Sequence, residues 1–468
     1  MTPKTFSDDP KRPAWHLALL FLLASLLLWP LALTGGRPGY IMDSAGYHHG
    51  GEKAVAFVAK RFDPAAREAA TAGRATGKAK ADDGTQGVRS IPYSVMTYIL
   101  AAPGKSLLAL AIGQALLTAI MIVLLLRATG LADDRRASIA LAALLGAGTG
   151  IALFTTLATP DIFAGLTILG IVMLAVWPDR FRRGERLAIV AITALAIASH
   201  SSHVLIAVGM AGLLALLAAW QWRTGMRAGL AGPAWGMVAI AGGIALVMFS
   251  ALVGFKEMSV APKRYPFALA RSIEDGPARW YLDSHCKTDH YVVCELFPDG
   301  FPDRAGYFLW GADGIAARAT TAQMNRIRDE ELEIVQRATA AYPGDQLQSS
   351  INNLRDQILA VGITPALFRD KQLVGDTLAD ATRPQDLRWQ MHVQIGVVLL
   401  SLIALLALWL RANRESRVAV GLVLLGILGN DTICAIFAAP DIRYQNRLLW
   451  LLPLFAFLLA WQKKHRIC

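Results

Sequence analysis

The chain has 468 residues, of which 54% are hydrophobic and 17% are charged, and its mean hydropathy is +0.42. Soluble domains carry about 25% charged residues, so this composition excludes an ordinary soluble protein. The formal net charge of +11 does not indicate nucleic-acid binding, because much of the excess lies in short clusters between apolar runs. The sequence therefore predicts a polytopic membrane protein.

Ten apolar runs are candidate membrane spans, because a helix needs ~20 residues to cross a hydrocarbon core. The first run follows Lys4, Lys11 and Arg12 and resembles a signal peptide. However, LALTGGRPG is a poor cleavage site and many spans follow, so we expect an uncleaved first helix. The predicted spans are 14–34, 106–126, 138–157, 162–177, 187–200, 203–221, 233–254, 390–410, 418–437 and 447–461.

The positions of arginine and lysine predict the orientation of these spans. If the N-terminus is cytoplasmic, the short outer loops contain a single arginine, Arg443. This is the positive-inside asymmetry of membrane proteins, and it predicts that both termini are cytoplasmic. The cations that would then face the cytoplasm are Arg127, Arg135, Arg136, Arg180, Arg182, Arg183, Arg186, Arg223, Arg227, Arg411, Arg414, Arg417, Lys463, Lys464 and Arg466.

The stretch from Leu187 to Gln221 leaves two topologies open. It is too long for one ordinary span and short for two. Two short helices with the motif HSSH, His200 to His203, at their turn preserve the orientation. One long tilted helix would place the basic tail KKHR outside, so the charges favour two helices.

Two large segments, 35–104 and 255–388, face the outside in this topology. The sequence thus divides into a seven-span module (1–254), an outer domain (255–388) and a three-span module (389–468). In the outer domain, EELEIVQRATAAY and INNLRDQILAVG have helical apolar spacing, so we expect a small, mostly helical domain. The stretch Ala65–Gly87 is poor in large apolar residues, which predicts a mobile or partly disordered flap.

Cysteine placement bears on the same topology. Cys286 and Cys294 lie in the predicted outer domain, where an oxidising environment favours a disulfide, although two unpaired thiols are the simpler alternative. Cys434, in a predicted span, and Cys468, in the tail, have no obvious partner in the sequence.

Polar motifs recur at the outer ends of the predicted spans. Each has a simple structural explanation, such as a helix cap, a helix start or an interfacial anchor. Ionisable groups near membrane depth, however, usually line a cavity or pair with one another, so their shared level predicts a polar cleft open to the outside. The motifs are Asp43, Thr159–Asp161, His200–His203 and Pro440–Arg447, with Asn430 and Asp431 inside the ninth span.

Three of these stretches resemble the GT-C membrane glycosyltransferases. The first span is followed by D-x-A-x-Y, here Asp43, Ala45 and Tyr47, and by the amphipathic EKAVAFVAKRF, as in the first outer loop of that family. RSIPYS, from Arg89, and the late DIRYQNRLLWLLPL are similar to stretches of its protein-mannosyl and aminoarabinose transferases. The oligosaccharyltransferase signature WWDYG is absent, and the outer domain matches no family that we can name.

This resemblance implies a GT-C-like fold with about ten transmembrane helices in the cytoplasmic (inner) membrane and a site that faces the periplasm. It implies transfer of a sugar from a polyprenyl-phosphate-linked donor to a glycan, lipid or protein acceptor of the cell envelope. Asp43 takes its role from the family motif, where the carboxylate orients or deprotonates the acceptor hydroxyl.

The other site residues are placed by level and charge. Asp161 and Tyr47 are candidates to support the acceptor, and the alternatives for Asp161 are to bind a divalent cation or to support a cationic side chain. The histidine spacing fits no strong zinc pattern, so a metal cofactor is left open. The side chains expected to bind the donor phosphate are Arg89, His200, His203, Arg443 and Arg447.

Three other functions fit parts of the sequence. A polysaccharide polymerase or glycan ligase would share the lipid-linked donor, but such proteins rely on arginines and histidine in a large outer loop. A lipid or solute transporter would place polar groups near the bilayer midplane, which only Asp431 fits, and no internal repeat is detectable. A scaffold protein would use the 255–388 domain for its partners.

Overall fold

The computed structural model describes residues 11–62, 89–101, 106–362, 372–374, 377–379 and 388–466. These residues form helices joined by turns and loops, together with one short β-hairpin, so the predicted all-α class is confirmed except for that hairpin. The predicted flap, Ala65–Gly87, and the tail cysteine Cys468 lie outside the described residues.

The described residues of the N-terminal part form eleven helices and three short 3-10 turns. The turns are Leu131–Asp133, Pro178–Arg180 and Arg227–Leu230. The helices are α1 (Lys11–Leu27), α2 (Pro30–Leu33), α3 (Met42–Phe62), α4 (Ile91–Ala101), α5 (Leu108–Thr129), α6 (Arg135–Gly148), α7 (Ile151–Thr156), α8 (Asp161–Val176), α9 (Arg183–Ala198), α10 (Ser201–Arg223) and α11 (Ala231–Phe255).

The outer domain follows α11 and has an apolar core of its own, separate from the core of the long helices. Leu269, Leu282, Phe308 and Ile327 are fully buried in it. Both of its predicted helices are confirmed, in α17 and α18. Its helices are α12 (Phe267–Asp275), α13 (Pro277–Asp289), α14 (Val292–Leu296), α15 (Ala305–Trp310), α16 (Ile315–Arg318), α17 (Thr321–Ala341) and α18 (Pro343–Leu359).

The hairpin lies near the end of the predicted outer domain, and its strand β1 (Gln372–Val374) pairs antiparallel with β2 (Thr377–Ala379). Leu373 lies opposite Leu378 in this register. The remaining helices are α19 (Arg388–Trp409), α20 (Arg414–Phe437), α21 (Ile442–Leu449) and α22 (Leu451–Arg466).

Six helices in the described part of the chain are long and apolar enough to cross a membrane, which is compatible with a multi-pass membrane protein. The other four predicted spans coincide with shorter helices: a break at Thr149 divides 138–157 into α6 and α7, and α8, α9 and α22 have 16 residues each. The predicted count of about ten therefore stays a prediction. The six are Ala14–Leu33, Leu108–Thr129, Ser201–Arg223, Ala231–Phe255, Trp389–Trp409 and Arg414–Phe437.

The HSSH motif separates two helices, as the charges predicted. α9 ends at Ala198 and α10 begins at Ser201. Between them His200 is extended, and its Nδ1 atom accepts a hydrogen bond of 3.1 Å from the backbone N–H of Ser202. This side chain satisfies one of the free N–H groups at the start of α10, so it stabilises the break.

Helix α8 lies at the centre of the helical assembly. Fourteen of its residues after Asp161 are buried. Two glycines allow its neighbours to approach closely: a Cβ atom at Gly165 would lie 2.7 Å from the Trp450 indole, and one at Gly170 would overlap the Thr193 hydroxyl. A larger residue at either position would force α8 away from this packing.

Contacts between helix ends define one end of the assembly, which we call the basic end. Trp15, near the start of α1, donates to the carbonyl of Ala132, just after α5, at 2.8 Å. Arg127, in α5, pairs with Glu185, in α9. Further contacts there join Arg180 with Glu415 and Trp461 with Asp134.

The opposite end, which we call the cluster end, joins the other termini of the same helices. Gly39 exchanges backbone hydrogen bonds of 2.9 Å with Thr156 and Ala158, so the segment after α2 lies beside the end of α7. The Ser90 hydroxyl, just before α4, donates to the carbonyl of Ala198 at the end of α9 at 2.5 Å. The polar residues selected from the sequence lie at this end.

A disulfide joins Cys286 to Cys294, as predicted, whereas Cys434 is a buried free thiol. We expect alkylation of denatured protein without reductant to modify Cys434 but neither Cys286 nor Cys294, and to modify all three after reduction. Peptide mass spectrometry measures this. Alkylation of Cys286 before reduction, with Cys434 as the internal control, would contradict the disulfide.

Candidate active site

Asp43 lies in the first turn of α3 and accepts hydrogen bonds from two arginines. A terminal nitrogen of Arg89 lies 2.5 Å from its Oδ1 atom, and a terminal nitrogen of Arg443 lies 2.8 Å from its Oδ2 atom. A carboxylate in the first helical turn is also stabilised by the helix dipole. Both oxygens are thus bound by guanidinium groups, and Asp43 does not project into open solvent.

Arg443 connects the two carboxylates of the site. One terminal nitrogen binds Asp43, while its Nε atom and its other terminal nitrogen lie 2.8 Å and 2.7 Å from Oδ2 of Asp161. Asp441 caps α21 and accepts from the backbone N–H of Arg443 at 2.6 Å. This cap fixes the start of α21 and therefore the point from which the Arg443 side chain extends.

Arg447 follows one helical turn after Arg443 and is buried beneath it, with 2% of its side chain exposed. It donates to Oδ1 of Asp161 at 3.4 Å and to Oδ1 of Asn430 at 2.7 Å. A third contact, of 3.4 Å, reaches the Ser202 hydroxyl. Arg447 therefore links α21 to α8, α20 and α10 at one point.

Asp161 is the first residue of α8, and 2% of its side chain is exposed. Besides Arg443 and Arg447, it accepts from the Thr159 hydroxyl at 2.5 Å. The Thr-Pro-Asp motif therefore begins a helix, as the simple structural explanation of this motif predicts. Its Asp161 also supplies a buried anion to two arginines. A buried charge is costly unless it is paired and hydrogen-bonded, and this pairing satisfies that requirement.

The two histidines offer different groups to a ligand. Because a backbone N–H donates to Nδ1 of His200, the proton of that neutral ring lies on Nε2, which makes Nε2 a donor. Nδ1 of His203 lies 2.8 Å from the carbonyl of Ala196, which only accepts, so its Nε2 is an acceptor. That atom is buried and has no hydrogen-bond partner among the described residues. His200 thus suits a phosphate oxygen, whereas His203 suits a hydroxyl group.

Tyr47 lies one turn after Asp43 and is buried. Its ring packs edge-on against Tyr93 with centroids 4.9 Å apart, and the Arg89 guanidinium lies 5.8 Å from its centre. Burial raises the pKa of the Tyr47 hydroxyl, so the hydroxyl stays protonated at neutral pH. These contacts make Tyr47 a support for Arg89.

The charged groups range from a partly exposed side of the cluster to a buried side. Arg89 and Asp43 are 32% and 27% exposed, Arg443 is 17% exposed, and Arg447 and Asp161 are 2% exposed. Three guanidiniums and two carboxylates leave one positive charge in excess. Such a site can bind an anion at its partly exposed side, where guanidinium groups would donate hydrogen bonds to phosphate oxygens.

Ser202, Asn430 and Asp441 were not predicted from the sequence as partners of the arginines. Asn430 and Asp431 were noted only as polar residues inside a span, and the Asn430 amide donates to Asp431 at 3.1 Å. An amide side chain within an apolar run is the sequence signal that could have identified Asn430, because such a group needs a hydrogen-bonding partner in the helical bundle.

Neither Asp43 nor Asp161 has an oxygen free for a divalent cation in this arrangement. Both oxygens of Asp161 and both oxygens of Asp43 accept from arginines. In the part of the chain that the structure describes, no group of three or more histidine, cysteine, aspartate or glutamate side chains could hold a metal ion. These carboxylates are thus arranged for guanidinium groups.

Comparison with known proteins identifies no relative: no family model matches the chain, and neither a curated protein nor a solved structure matches it. The resemblance to GT-C glycosyltransferases stays a prediction.

We expect Asp161→Asn to destabilise the protein more than Asp43→Asn. Loss of the buried charge leaves Arg447 and part of Arg443 without a counter-ion, and breaking a buried pair costs about 3–5 kcal/mol. Asp43 is partly solvated, and solvent screens its pairs, so its loss costs less. Thermal unfolding in detergent measures both variants. Equal shifts in the unfolding midpoint would contradict the conclusion that Asp161 is buried and Asp43 is partly solvated.

Proposed function

We propose that the chain is a membrane glycosyltransferase that takes a sugar from a polyprenyl-phosphate-linked donor at the cluster end. The observation that carries this proposal is the Arg443 guanidinium, which holds Asp43 and Asp161 together beside Arg89 and Arg447. Cations for a lipid phosphate thus lie next to a carboxylate able to receive a proton. The stretches that resemble GT-C transferases contain four of these residues: Asp43, Arg89, Arg443 and Arg447.

The helix ends support the proposed ten-span topology. α5 ends at the basic end, where Arg127 pairs with Glu185, and α10 begins at the cluster end, where Ser202 contacts Arg447. An odd number of crossings must therefore separate them, and α6–α7, α8 and α9 supply three. A short helix such as α8 can serve as a span because it is surrounded by protein and does not have to match the lipid thickness.

The same topology places the cluster end on the outer face of the cytoplasmic membrane. The basic end carries the arginines that the positive-inside rule assigns to the cytoplasm, together with both described chain ends. The outer domain follows from the cluster end of α11, and its disulfide agrees with an oxidising compartment. The donor's phosphate then lies at the site and its isoprenoid chain in the bilayer.

In the proposed reaction, the acceptor hydroxyl oxygen forms a bond to the anomeric carbon of the donor sugar. The bond between that carbon and the phosphate oxygen breaks, and its electron pair stays on the leaving polyprenyl phosphate. Arg443 and Arg89 stabilise the negative charge that develops there, because a guanidinium group that already contacts the phosphate of the bound donor costs no further reorganisation during the reaction. The hydroxyl proton passes to Asp43.

This assignment requires an exchange of partners at Asp43. Its two oxygens are bound by Arg89 and Arg443, so it has no free position for a substrate hydroxyl until one guanidinium turns to the phosphate. Donor binding therefore precedes activation of the acceptor. Arg447 is held from three sides and stays in place.

One observation favours transport as a second candidate function. Asp431 is buried inside the candidate span α20 and is linked through Asn430 to Arg447, and buried acidic groups of this kind carry protons in transporters. A transporter would retain its activity when the sugar donor is omitted, whereas a transferase needs it.

We expect Asp43→Asn to abolish sugar transfer, because loss of a general base lowers turnover by about 10²–10⁴-fold. The assay uses proteoliposomes with radiolabelled polyprenyl-phosphate hexoses, pentoses and aminopentoses, a cell-envelope extract as acceptor, and release of polyprenyl phosphate as the readout. Asp356→Asn is the matched control, since Asp356 also pairs with an arginine but lies in the outer domain.

Two results would count against this proposal. Full turnover by Asp43→Asn would show that Asp43 is not the general base, although the protein would still be a transferase. If the unchanged protein releases polyprenyl phosphate from none of the donors in the panel, the proposal that it is a transferase is wrong.

A further inference from the structure

Helix α18 turns a polar side toward the rest of the protein. The Nδ2 atom of Asn353 donates to Asp275 at 3.0 Å, and the hydroxyl of Ser272 donates to Gln346 at 3.1 Å. At its C-terminal end, Gln357 donates to the carbonyl of Asp441 at 3.2 Å and accepts from its N–H at 3.0 Å. Hydrogen bonds, not apolar contacts, therefore attach this side of the helix.

The apolar residues of α18 lie on a different side and are largely exposed. Leu347, Ile351, Leu354 and Ile358 follow one another at i, i+4, i+7 and i+11, which places them in one stripe. Leu347 is 62% exposed, Ile351 54% and Ile358 40%, and Leu354 is half-buried. A surface helix ordinarily buries its apolar side, so this pattern is inverted.

Helix α18 lies against the end of a candidate membrane span, α20, whose exposed surface is apolar. Asn353, in the middle of α18, donates to the carbonyl of Ala435 at 3.4 Å, close to the end of α20. The next two residues of α20, Ile436 and Phe437, are 42% and 43% exposed. Further along the same helix Leu424, Leu425 and Leu428 are also exposed, as expected of a surface in contact with lipid.

We infer that α18 lies in the interface of the bilayer, with its stripe in contact with the lipids of the outer leaflet. Continuity with the exposed end of α20 is the reason to choose lipid over a partner protein. Charged side chains exposed on α18, Asp345, Arg355 and Asp356, would then face the headgroups and water. An interfacial helix has this division between an apolar stripe and a solvated polar side.

Contact between α18 and the membrane would fix the position of the outer domain relative to the arginines of the site. The segment after α18 is attached to α21, since the N–H of Gly362 donates to Asn446 at 3.1 Å and the Asn446 amide donates to the carbonyl of Ala360 at 3.1 Å. α21 is also the helix that carries Arg443 and Arg447. The inference does not rest on the proposed chemistry, and either can fail alone.

Fluorescence quenching by lipid tests this inference. Ile351→Cys and, separately, Asp356→Cys are made in full-length protein that carries Cys468→Ser, so that the buried Cys434 is the remaining free thiol. Each variant is labelled with an environment-sensitive fluorophore and reconstituted in phosphatidylcholine and phosphatidylglycerol vesicles with brominated acyl chains. Leu347→Cys replaces Ile351→Cys if that variant does not fold.

We expect quenching at position 351 to be about threefold or more stronger than at position 356, because interfacial helices bury their apolar side about 5–10 Å into the bilayer boundary. Equal, weak quenching at both positions would overturn the inference. A blue-shifted emission at 351 that brominated lipid does not quench would also overturn it, since a second copy or residues 363–387 of this chain would then cover the stripe.

Discussion

The arrangement of this protein depends on one guanidinium group. Arg443 binds Asp43 and Asp161, which are 400 and 282 residues away in the sequence, and each of the three side chains begins a different helix. Arg447 and Asp161 are so deeply buried that neither charge is tolerable without the other. The helix ends must therefore meet where they do, and the same requirement assembles a group of cations and a carboxylate at one end of the bundle.

Around this cluster, the packing of α8 sets the geometry. Its glycines allow Trp450 and Thr193 to approach its backbone, and Asp161 stands at its first residue, where the helix dipole favours an anion. A central, buried helix does not have to span the lipid by itself. The 16 residues of α8 are therefore compatible with the proposed ten-span topology, although ~20 apolar residues are usually needed to cross a membrane.

The sequence predicted which polar residues lie at the cluster end better than it predicted which residues they contact. The shared level of Asp43, Asp161 and Arg443 was readable from apolar runs and charges, as were the HSSH break and the disulfide. The partners Asn430 and Ser202 were not, because the rotation of each helix about its axis depends on packing between distant segments. The sequence predicted the helix at α18 but not the exposure of its stripe, since helical spacing gives the side on which residues lie but not what that side contacts.

The central claim is that the arginines of the cluster bind the phosphate of a polyprenyl lipid. Binding of polyprenyl phosphate to purified protein, measured for Arg443→Ala and Arg180→Ala, tests it most directly. Arg180 also pairs with a carboxylate, Glu415, but lies at the basic end, so it is a matched control. Loss of a charged hydrogen-bonding partner should weaken binding by about 10-fold or more in Arg443→Ala alone. Unchanged affinity in Arg443→Ala, or an equal loss in both variants, would contradict the account.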